Sequence, residues 1–502
     1  MVTDSLPDPD GRPLFSKVLI ANRGEIALRV LKCLQKLQIA SVAIYHYSDR
    51  QSPLVQQADQ AVEIFGDAPS AAHLDIEQII AICKNLGVDA VHPCYGFLSE
   101  NAAFAQALAA EGIRFIGPSA EVIELMGDKI ASRNFVAEHG FPVPPSVTLD
   151  ADDAGFMNAV ENMGFPLVVK ASAGGGGKGM SIVRSRDELE STLRVAASEA
   201  EKYFGDKRVY VERYFDSARH IEVQVLGDGN SVIHIGEREC TIQRRFQKII
   251  EEAPSPALND DSRRKICESA AGIARAAKYS SAGTVEFLYT PEGKFFFLEM
   301  NTRIQVEHPV TEMVYGVDLV AEQIRIAAGQ PLSIQHDVLQ MNGHAVECRL
   351  CAEDAFNNFM PETGRVLYLK EPAGEGVRFD SGLFQGQEIT TAFDPMLAKL
   401  IVHAPTREAA IAGAVKGLQD LVLLGIKTNA EYLIKVLEHR SFIAGDMDTG
   451  FVETHSEDLQ ADSPDIGQVR TVLAAAMLTD RNMRLLMDAT PEPYAGIGRW
   501  RN

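Results

Sequence analysis

The stretch Lys170-Ala171-Ser172-Ala173-Gly174-Gly175-Gly176-Gly177-Lys178-Gly179-Met180 decides the fold. Four successive glycines can turn their amides toward an anion with no Cβ in the way. Lys170 and Lys178 add positive charge on both sides, so the natural ligand is a polyphosphate. Gly174, Gly176 and Gly179 also spell G-x-G-x-x-G, but that pattern alone is weak. Context is more informative. The loop runs from one strand-like segment (PLVVKA) to another (MSIVRS), whereas a dinucleotide turn or a P-loop runs from strand into helix. A P-loop also needs Ser or Thr after Gly-Lys, and Gly179 stands there. A glycine flap between strands suits protein kinases too, yet neither H-R-D nor D-F-G occurs. A flexible surface hairpin would not need lysines at both ends.

Outward from the loop, a Pro-rich entry (Gly140 to Pro145), a helix, the flap, a second helix and the strand VYVERYF predict a small lid over about 140–215. Upstream, KVLIA (17–21), the helical NRGEIALRVLKCLQKLQ and SVAIYHY give a β-α-β start typical of a parallel sheet. The first turn has a single glycine, Gly24, so nicotinamide binding is weakly supported. The β-α pattern continues to RFIG, with a boundary near Gly117-Pro118. Downstream, strands dominate to about 310. A third strand-rich block begins near 343 (HAVECRL, GRVLYL, GVRFDS, AKLIVHA) and ends in helices. The tail, 455–502, carries one helical stretch and the only tryptophan, Trp500.

GTVEFLY (283–289) and KFFFLEMN (294–301) read as a hairpin around Thr290-Pro291-Glu292-Gly293. A turn symmetric about the Glu292–Gly293 bond places Glu286 opposite Glu299. Carboxylates so paired repel unless a cation lies between them, and hard oxygens suit Mg²⁺ or Mn²⁺. A three-residue loop with a glycine bulge would instead pair Glu286 with Leu298. Glu299, Asn301, Arg303, Gln305 and Glu307 then fall at every second position, one face of an extended chain, with Leu298, Met300, Ile304 and Val306 on the other. Fully extended, eight residues span roughly 26 Å, so the row would run from metal ligands into a substrate channel. Arg303 followed by Glu307 offers an anion clamp beside a general base. Arg244, Arg245 and Lys248 form a second basic cluster, readable as a solvated edge or as a small-anion site.

The chain has 502 residues, 46% hydrophobic, and a net charge of −21. It is too apolar to be disordered throughout and too acidic for nucleic acid or an anionic membrane to be its main partner. No apolar run approaches the roughly 18 residues of a membrane span. MVTDSLPDPDGRPLF is neither a signal peptide nor an Arg-rich transit peptide. Seven scattered cysteines predict reduced thiols and a cytoplasmic protein. Cys348 and Cys351 form C-x-x-C, but on a strand residues three apart face opposite sides, against a zinc or redox site.

Taken together, ANRGEIALR (21–29), HPCYGFLSEN (92–101), MGDK (126–129), KASAGGGGKGM (170–180), ERYFDSARHIEVQV (212–225), QRRFQK (243–248), EMNTRIQVEHPVTE (299–312), GHAVECR (343–349) and FDPMLAKLI (393–401) resemble biotin carboxylase, an ATP-grasp ligase. The likeness runs from about Lys17 to about Phe451 and is similar in extent to the carboxylase part of acyl-CoA carboxylase α-chains. It implies an α/β architecture: a parallel-sheet N-terminal domain (1–118), an ATP-grasp core with a mobile glycine-rich lid (119–335), a mixed α+β C-terminal domain (336–454) and a tail (455–502).

The resemblance also implies the reaction. Bicarbonate attacks the γ-phosphate of ATP to give carboxyphosphate and ADP, and CO₂ released from carboxyphosphate is captured by biotin. For the nucleotide it implies Lys129, Lys170, Gly176, Gly177, Glu212, Arg213, Tyr214, Phe215, His220, Gln243, Phe246, Glu286 and Glu299. For two Mg²⁺ or Mn²⁺ ions it implies Glu286, Glu299 and Asn301. For bicarbonate it implies Lys248, Arg303, Gln305 and the Val306 amide, with Glu307 as base and Arg303 facing the biotin enolate. Arg349 is implied for the biotin or phosphate side, and Asp394 is carried over without an assigned role. The implied partners are a biotin carrier domain, since no Met-Lys-Met is present, and a carboxyltransferase subunit, with a homodimer or larger assembly in keeping. PEPYAGIGRWRN resembles the segment that follows the carboxylase core in α-chains.

Three positions depart from the pattern: Cys94 for glycine, Arg213 for lysine and Phe246 for histidine. Another ATP-grasp ligase and a nucleotide-binding subunit without turnover are the alternative readings.

Overall fold

Val18, Leu19 and Ile20 are wholly buried, and their strand, Lys17–Ile20, is the middle of a five-stranded parallel sheet. Ala40–Tyr45 and Ala90–His92 flank it, and Gln60–Glu63 and Arg114–Phe115 form the edges. The order of winding reverses between Lys17–Ile20 and Ala90–His92, which opens a crevice at their carboxyl ends. Asn22 spans it, donating from Nδ2 to the carbonyls of Pro93 (3.0 Å) and Tyr95 (2.7 Å). The loop it fixes has φ of +59° at Cys94 and +69° at Gly96. Glycine adopts such angles with least strain, which explains why glycine was expected at position 94; Cys94 occupies it with its side chain buried.

The computed structural model describes residues 14–148, 153–172, 180–204, 208–334, 339–461 and 466–479. Gly176, Gly177 and the rest of 173–179, the N-terminal 1–13 and Trp500 with its neighbours lie outside the described residues. The strand–loop–strand frame around the glycines is as expected, with Lys170 paired antiparallel to Met180. Ser146–Thr148, Leu167–Ala171, Met180–Val183 and Val209–Arg213 form a four-stranded sheet with helices Asp153–Met163 and Arg186–Phe204 and a core of its own around Leu167, Val169, Leu189 and Val211.

The strands of the body join into one sheet across the second and third expected blocks. One eight-stranded antiparallel sheet runs in the order Phe295–Asn301, Ser280–Tyr289, Arg219–Asp228, Val232–Arg244, Gln247–Ala253, His344–Cys351, Met396–Ala404 and Val377–Ser381. The C-terminal block thus extends the ATP-grasp sheet through the pairing of Gln247–Ala253 with His344–Cys351. Strands of both blocks mix apolar residues with buried charges, Glu251 on one and Glu347 on the other, so sequence texture cannot tell where one block's sheet stops.

The carboxylate hairpin uses both competing registers. Thr290 and Lys294 close a three-residue loop with Gly293 at φ +76°, and Phe287 pairs with Phe297. The register then shifts by one residue at Leu298, beyond which Glu286 faces Glu299 and Thr284 faces Asn301. The symmetric turn was therefore wrong; a bulge restores the carboxylate pairing.

Two compact units are distinguished, Met1–Leu459 and Gln460–Asn502, the second containing helix Ile466–Thr479. All seven cysteines are free and buried. Cys348 packs in an apolar core while Cys351 reaches the cleft wall, so the pair does not form a site. Among the described residues no helix is long and apolar enough to cross a membrane.

Candidate active site

A cleft of about 520 Å³ lies against the long sheet, and both it and the lid contribute lining residues. At the lid end, Lys129 opens helix Lys129–Glu138, which Asp128 caps through bonds from the Ile130 and Ala131 amides (both 2.9 Å). The Lys129 amide donates to Ser172 O (3.1 Å), tying this helix to the start of the glycine stretch. Lys129 Nζ lies 2.7 Å from Glu299 Oε2, and Lys170 is ion-paired with Glu212 on a lid strand. Lys129 holds Glu299 below the usual carboxylate range. Tyr214 and Phe215 follow on the connecting segment, and Phe215 stacks on Phe296 with ring centres 5.1 Å apart. Arg213 donates to Met163 O (3.3 Å).

His220 joins this end to Glu286. Gln243 Nε2 donates to His220 Nδ1 (2.7 Å), so the proton sits on Nε2 and is donated to Glu286 Oε2 (2.7 Å). Phe246 stands at the hairpin turn following Arg244, half exposed, with φ +62°, and lines the cleft.

The far end is one interlocked network. Lys248 Nζ donates to three carboxylates: Glu222 Oε2 (2.5 Å), Glu286 Oε1 (2.9 Å) and Glu307 Oε1 (2.8 Å). The other Glu307 oxygen accepts from Arg349 Nη2 (3.0 Å). Burial alone would raise the Glu307 carboxyl, but Lys248, Arg349 and Arg238 outweigh it and hold Glu307 well below the carboxylate range. Glu286 is likewise held low against its burial, by Lys248 and His220. Burial works to lower Lys248, and Glu222, Glu286 and Glu307 more than reverse it. Of the basic cluster, Arg244 is buried against Glu353 and Arg245 is turned to Asn358, so Lys248 supplies the cation shared by these carboxylates.

The alternating row is more compact than an extended chain allows. The strand ends at Asn301, and the next residues fold back. Asn301 Nδ2 and Gln305 Nε2 both donate to Glu286 Oε1 (2.9 and 3.1 Å). Arg303 donates to Asn301 Oδ1 (3.0 Å) and Gln305 Oε1 (3.0 Å). Leu298 and Val306, expected on the opposite face, line the cleft as well. The hard oxygens of Glu286, Glu299 and Asn301 suit a divalent cation; here Lys129 and Lys248 neutralise the two carboxylates.

Sequence reasoning missed several residues. Glu100 holds Arg303 Nε (2.9 Å) and the Thr302 amide (3.0 Å). Lys399, wholly buried, donates to Val306 O and lies 3.5 Å from Glu25, which accepts from Tyr95 OH. Arg238, also wholly buried, bonds Glu222, Gln224 (2.8 Å), Thr284 (3.0 Å) and Thr311 (2.9 Å). Glu251 sits behind Arg349 at 2.5 Å. The alternation of polar and apolar residues in HIEVQV, which sets Glu222 and Gln224 on one face, was the one available signal; KIIEEA has no such alternation. Asp394 and Arg349 line the cleft as expected.

A nucleotide-sized cleft lined by the four-stranded lid sheet and by a carboxylate-bearing sheet fits the class of ATP-grasp ligases. The family comparisons take this further. Residues 14–123 match the biotin carboxylase N-terminal domain, 128–335 the carbamoyl-phosphate synthase L chain ATP binding domain, and 347–454 the biotin carboxylase C-terminal domain. Biotin carboxylase 1 of Bacillus subtilis is 42% identical, over 88% of this chain and 99% of that protein. The propionyl-CoA carboxylase alpha chain of Ruegeria pomeroyi is 44% identical over 93% and 72%. The biotin carboxylase domain of Hydrogenobacter thermophilus 2-oxoglutarate carboxylase, solved as a dimer with MgADP, ADP and bicarbonate, superposes with a TM-score of 0.87 at 41% identity, covering 89% of this chain and 99% of that one. The chain belongs to the biotin carboxylase family, ATP-dependent ligases.

Proposed function

We propose that this chain carboxylates biotin on a carrier domain, using ATP and bicarbonate, as the first half-reaction of a biotin-dependent, acyl-CoA-type carboxylase. The observation that carries the reading is Lys248, which lines the cleft and bridges metal carboxylate Glu286 on its wall to base Glu307, wholly buried just behind it. Lys129 and Lys170 bind phosphates, their present carboxylate partners being exchanged for the nucleotide. Tyr214 and Phe215 hold adenine, with His220 and Gln243 beside it and Phe246 at the rim. Gly176 and Gly177 cover the phosphates.

Glu286, Glu299 and Asn301 would hold two Mg²⁺ or Mn²⁺ ions, which neutralise charge as the phosphoryl group moves. Lys248, Arg303, Gln305 and the Val306 amide hold bicarbonate. Glu307 is ionised at neutral pH and so free to accept a proton. Lys248 and Arg303, as cations beside bicarbonate, loosen the proton that Glu307 takes. The deprotonated oxygen attacks the γ-phosphorus, and ADP leaves. Carboxyphosphate then breaks its C–O bond to give CO₂ and phosphate; the phosphate takes the biotin ring N–H proton and the freed nitrogen attacks CO₂, while Arg303 faces the biotin enolate and Arg349 the biotin side.

The domain division 1–118, 119–335, 336–454 and 455–502 is retained in this reading. The partners are a biotin carrier domain and a carboxyltransferase subunit, with a homodimer or larger assembly as the working form. Seven buried free thiols accord with a cytoplasmic setting. The test is ADP release from ATP with and without bicarbonate, and transfer of labelled bicarbonate to free biotin. Both are expected; ATP cleavage indifferent to bicarbonate and to biotin would overturn the reading.

A further inference from the structure

Arg349 is gripped from two sides, by Glu307 Oε2 (3.0 Å) and Glu251 Oε1 (2.5 Å). Glu251 is directly opposite Glu347 across the strands Gln247–Ala253 and His344–Cys351, so the two carboxyls share one face of the sheet. Both residues are wholly buried. Among the described residues, neither Glu347 oxygen nor Glu251 Oε2 has a hydrogen-bond partner. Few cations face them. Arg349 serves Glu251, and Lys399, across from Arg349 on the strand Met396–Ala404, bonds Val306 O instead. Lys248, Glu307 and the Cys348 thiol complete the surroundings. Two adjacent buried carboxyls with one bound cation between them cannot both ionise; one proton belongs to the pair.

We propose that Glu251 is a positioning residue of this site: beside Glu347, which keeps its proton, Glu251 loses its own to solvent, and that loss draws Arg349 toward Glu251 and frees Glu307 to act as the base. The inference rests on the role given to Glu307 above. With Glu251 neutral, Arg349 is committed to Glu307, which then competes poorly for the bicarbonate proton. Once Glu251 ionises, it takes the larger share of Arg349. Burial, opposed by Arg349 and reinforced by Glu307, pushes the Glu251 carboxyl up to about 7, so the exchange falls in the working pH range. Glu347 is raised well above the carboxylate range by burial, with Lys399 opposing and Glu251 adding.

The test pairs two readouts on the full chain, for wild type, Glu251→Gln and Glu347→Gln. The first is a pH titration of the carboxylic-acid C=O stretch by infrared difference spectroscopy, taking only the band that the substitutions remove. The second is the pH profile of bicarbonate-dependent ATP cleavage. Wild type should lose an acid band as its rate rises near neutrality. Glu251→Gln, permanently neutral, should lack that rise and stay at the acid-side rate. Glu347→Gln puts one neutral side chain in place of another of similar size; it should fold and keep the rise near neutrality. A Glu251→Gln chain that keeps the rise, or a titrating acid band that survives Glu251→Gln, would overturn the proposal. A wild-type chain without bicarbonate-dependent cleavage would instead overturn the functional reading, and with it the link to Glu307, while the band still decides whether Glu251 gives up its proton near neutrality.

Discussion

The two ends of the cleft hold their charges differently. At the lid end the cations stand in simple pairs, Lys129 with Glu299 and Lys170 with Glu212. At the far end Lys248 serves three carboxylates at once, and Arg349 serves two more oxygens of the same network. An incoming polyphosphate offers each lysine a new anion, and Arg133, 3.8 Å from Glu212, stays beside that carboxylate when Lys170 turns away. A cation shared by three buried carboxylates cannot leave without stranding charge in low dielectric. The lid end is therefore built to exchange partners and the far end to stay assembled. Mutations should divide along the same line, the first changing nucleotide affinity and the second changing chemistry and stability.

The largest effect is expected at the hub. Lys248→Met leaves Glu222, Glu286 and Glu307 without their common cation. Removing one partner of a buried ion pair costs about 3–5 kcal/mol. Chemical denaturation should show a loss of that size, together with no bicarbonate-dependent ATP cleavage; a loss under about 1 kcal/mol, the range of surface pairs, would break the contrast. Glu307→Gln keeps the shape but removes the base. Turnover should fall about 10²–10⁴-fold, with the fold intact by circular dichroism. At the other end, Lys170→Gln deletes a charge-assisted bond to phosphate worth about 1.5–3 kcal/mol, so ATP should bind roughly 10- to 150-fold more weakly. Calorimetry of ATP binding measures this directly, and turnover at saturating ATP should stay close to wild type.

Acidity sharpens the comparison further. Glu286 and Glu307 are held below their unfolded values, so the stability they contribute is full above about pH 4.3 and is lost as pH falls below it. Glu251 is raised, so its contribution runs the other way and declines as pH rises through about 7. Melting temperature should therefore fall toward acid, and Glu251→Gln should remove part of the decline toward neutral pH. A wild-type melting curve flat below pH 4 would contradict the assignment.

The smallest effect concerns Phe246. Phenylalanine cannot hydrogen-bond the nucleotide as histidine can. One neutral hydrogen bond is worth about 0.5–1.5 kcal/mol, so Phe246→His should tighten ATP binding roughly two- to tenfold with little change in turnover. Its half-exposed turn position at φ +62° also suits histidine, which adopts positive φ more readily than most side chains. Unchanged affinity with a lower melting point would mean that the ring serves packing alone.

What the sequence discloses and what it conceals follows from distance along the chain. The glycine stretch, the β-α-β start and the alternation from Glu299 to Glu307 are local, set by residue spacing within a few tens of positions. The Glu286–Glu299 pairing was legible because one hairpin joins the two strands, although the bulge at Leu298 was not. Glu251 behind Arg349, Glu100 beneath Arg303 and Lys399 on Val306 come from segments about 90–200 residues apart, brought together by strand order in the long sheet and by the N-terminal crevice. No spacing rule announces such neighbours. The same holds for the fusion of two expected blocks into one sheet, which depends on a single strand pairing.

The central claim, one exchangeable end and one locked end in a single carboxylating cleft, is tested most directly by measuring ATP affinity and bicarbonate-dependent turnover side by side in Lys170→Gln and Glu307→Gln. The account predicts a crossed result: weakened ATP binding with near-normal saturated turnover in the first, and normal ATP binding with turnover down by about 10²-fold or more in the second. Glu307→Gln turning over like wild type, or both variants losing affinity and turnover alike, would contradict it.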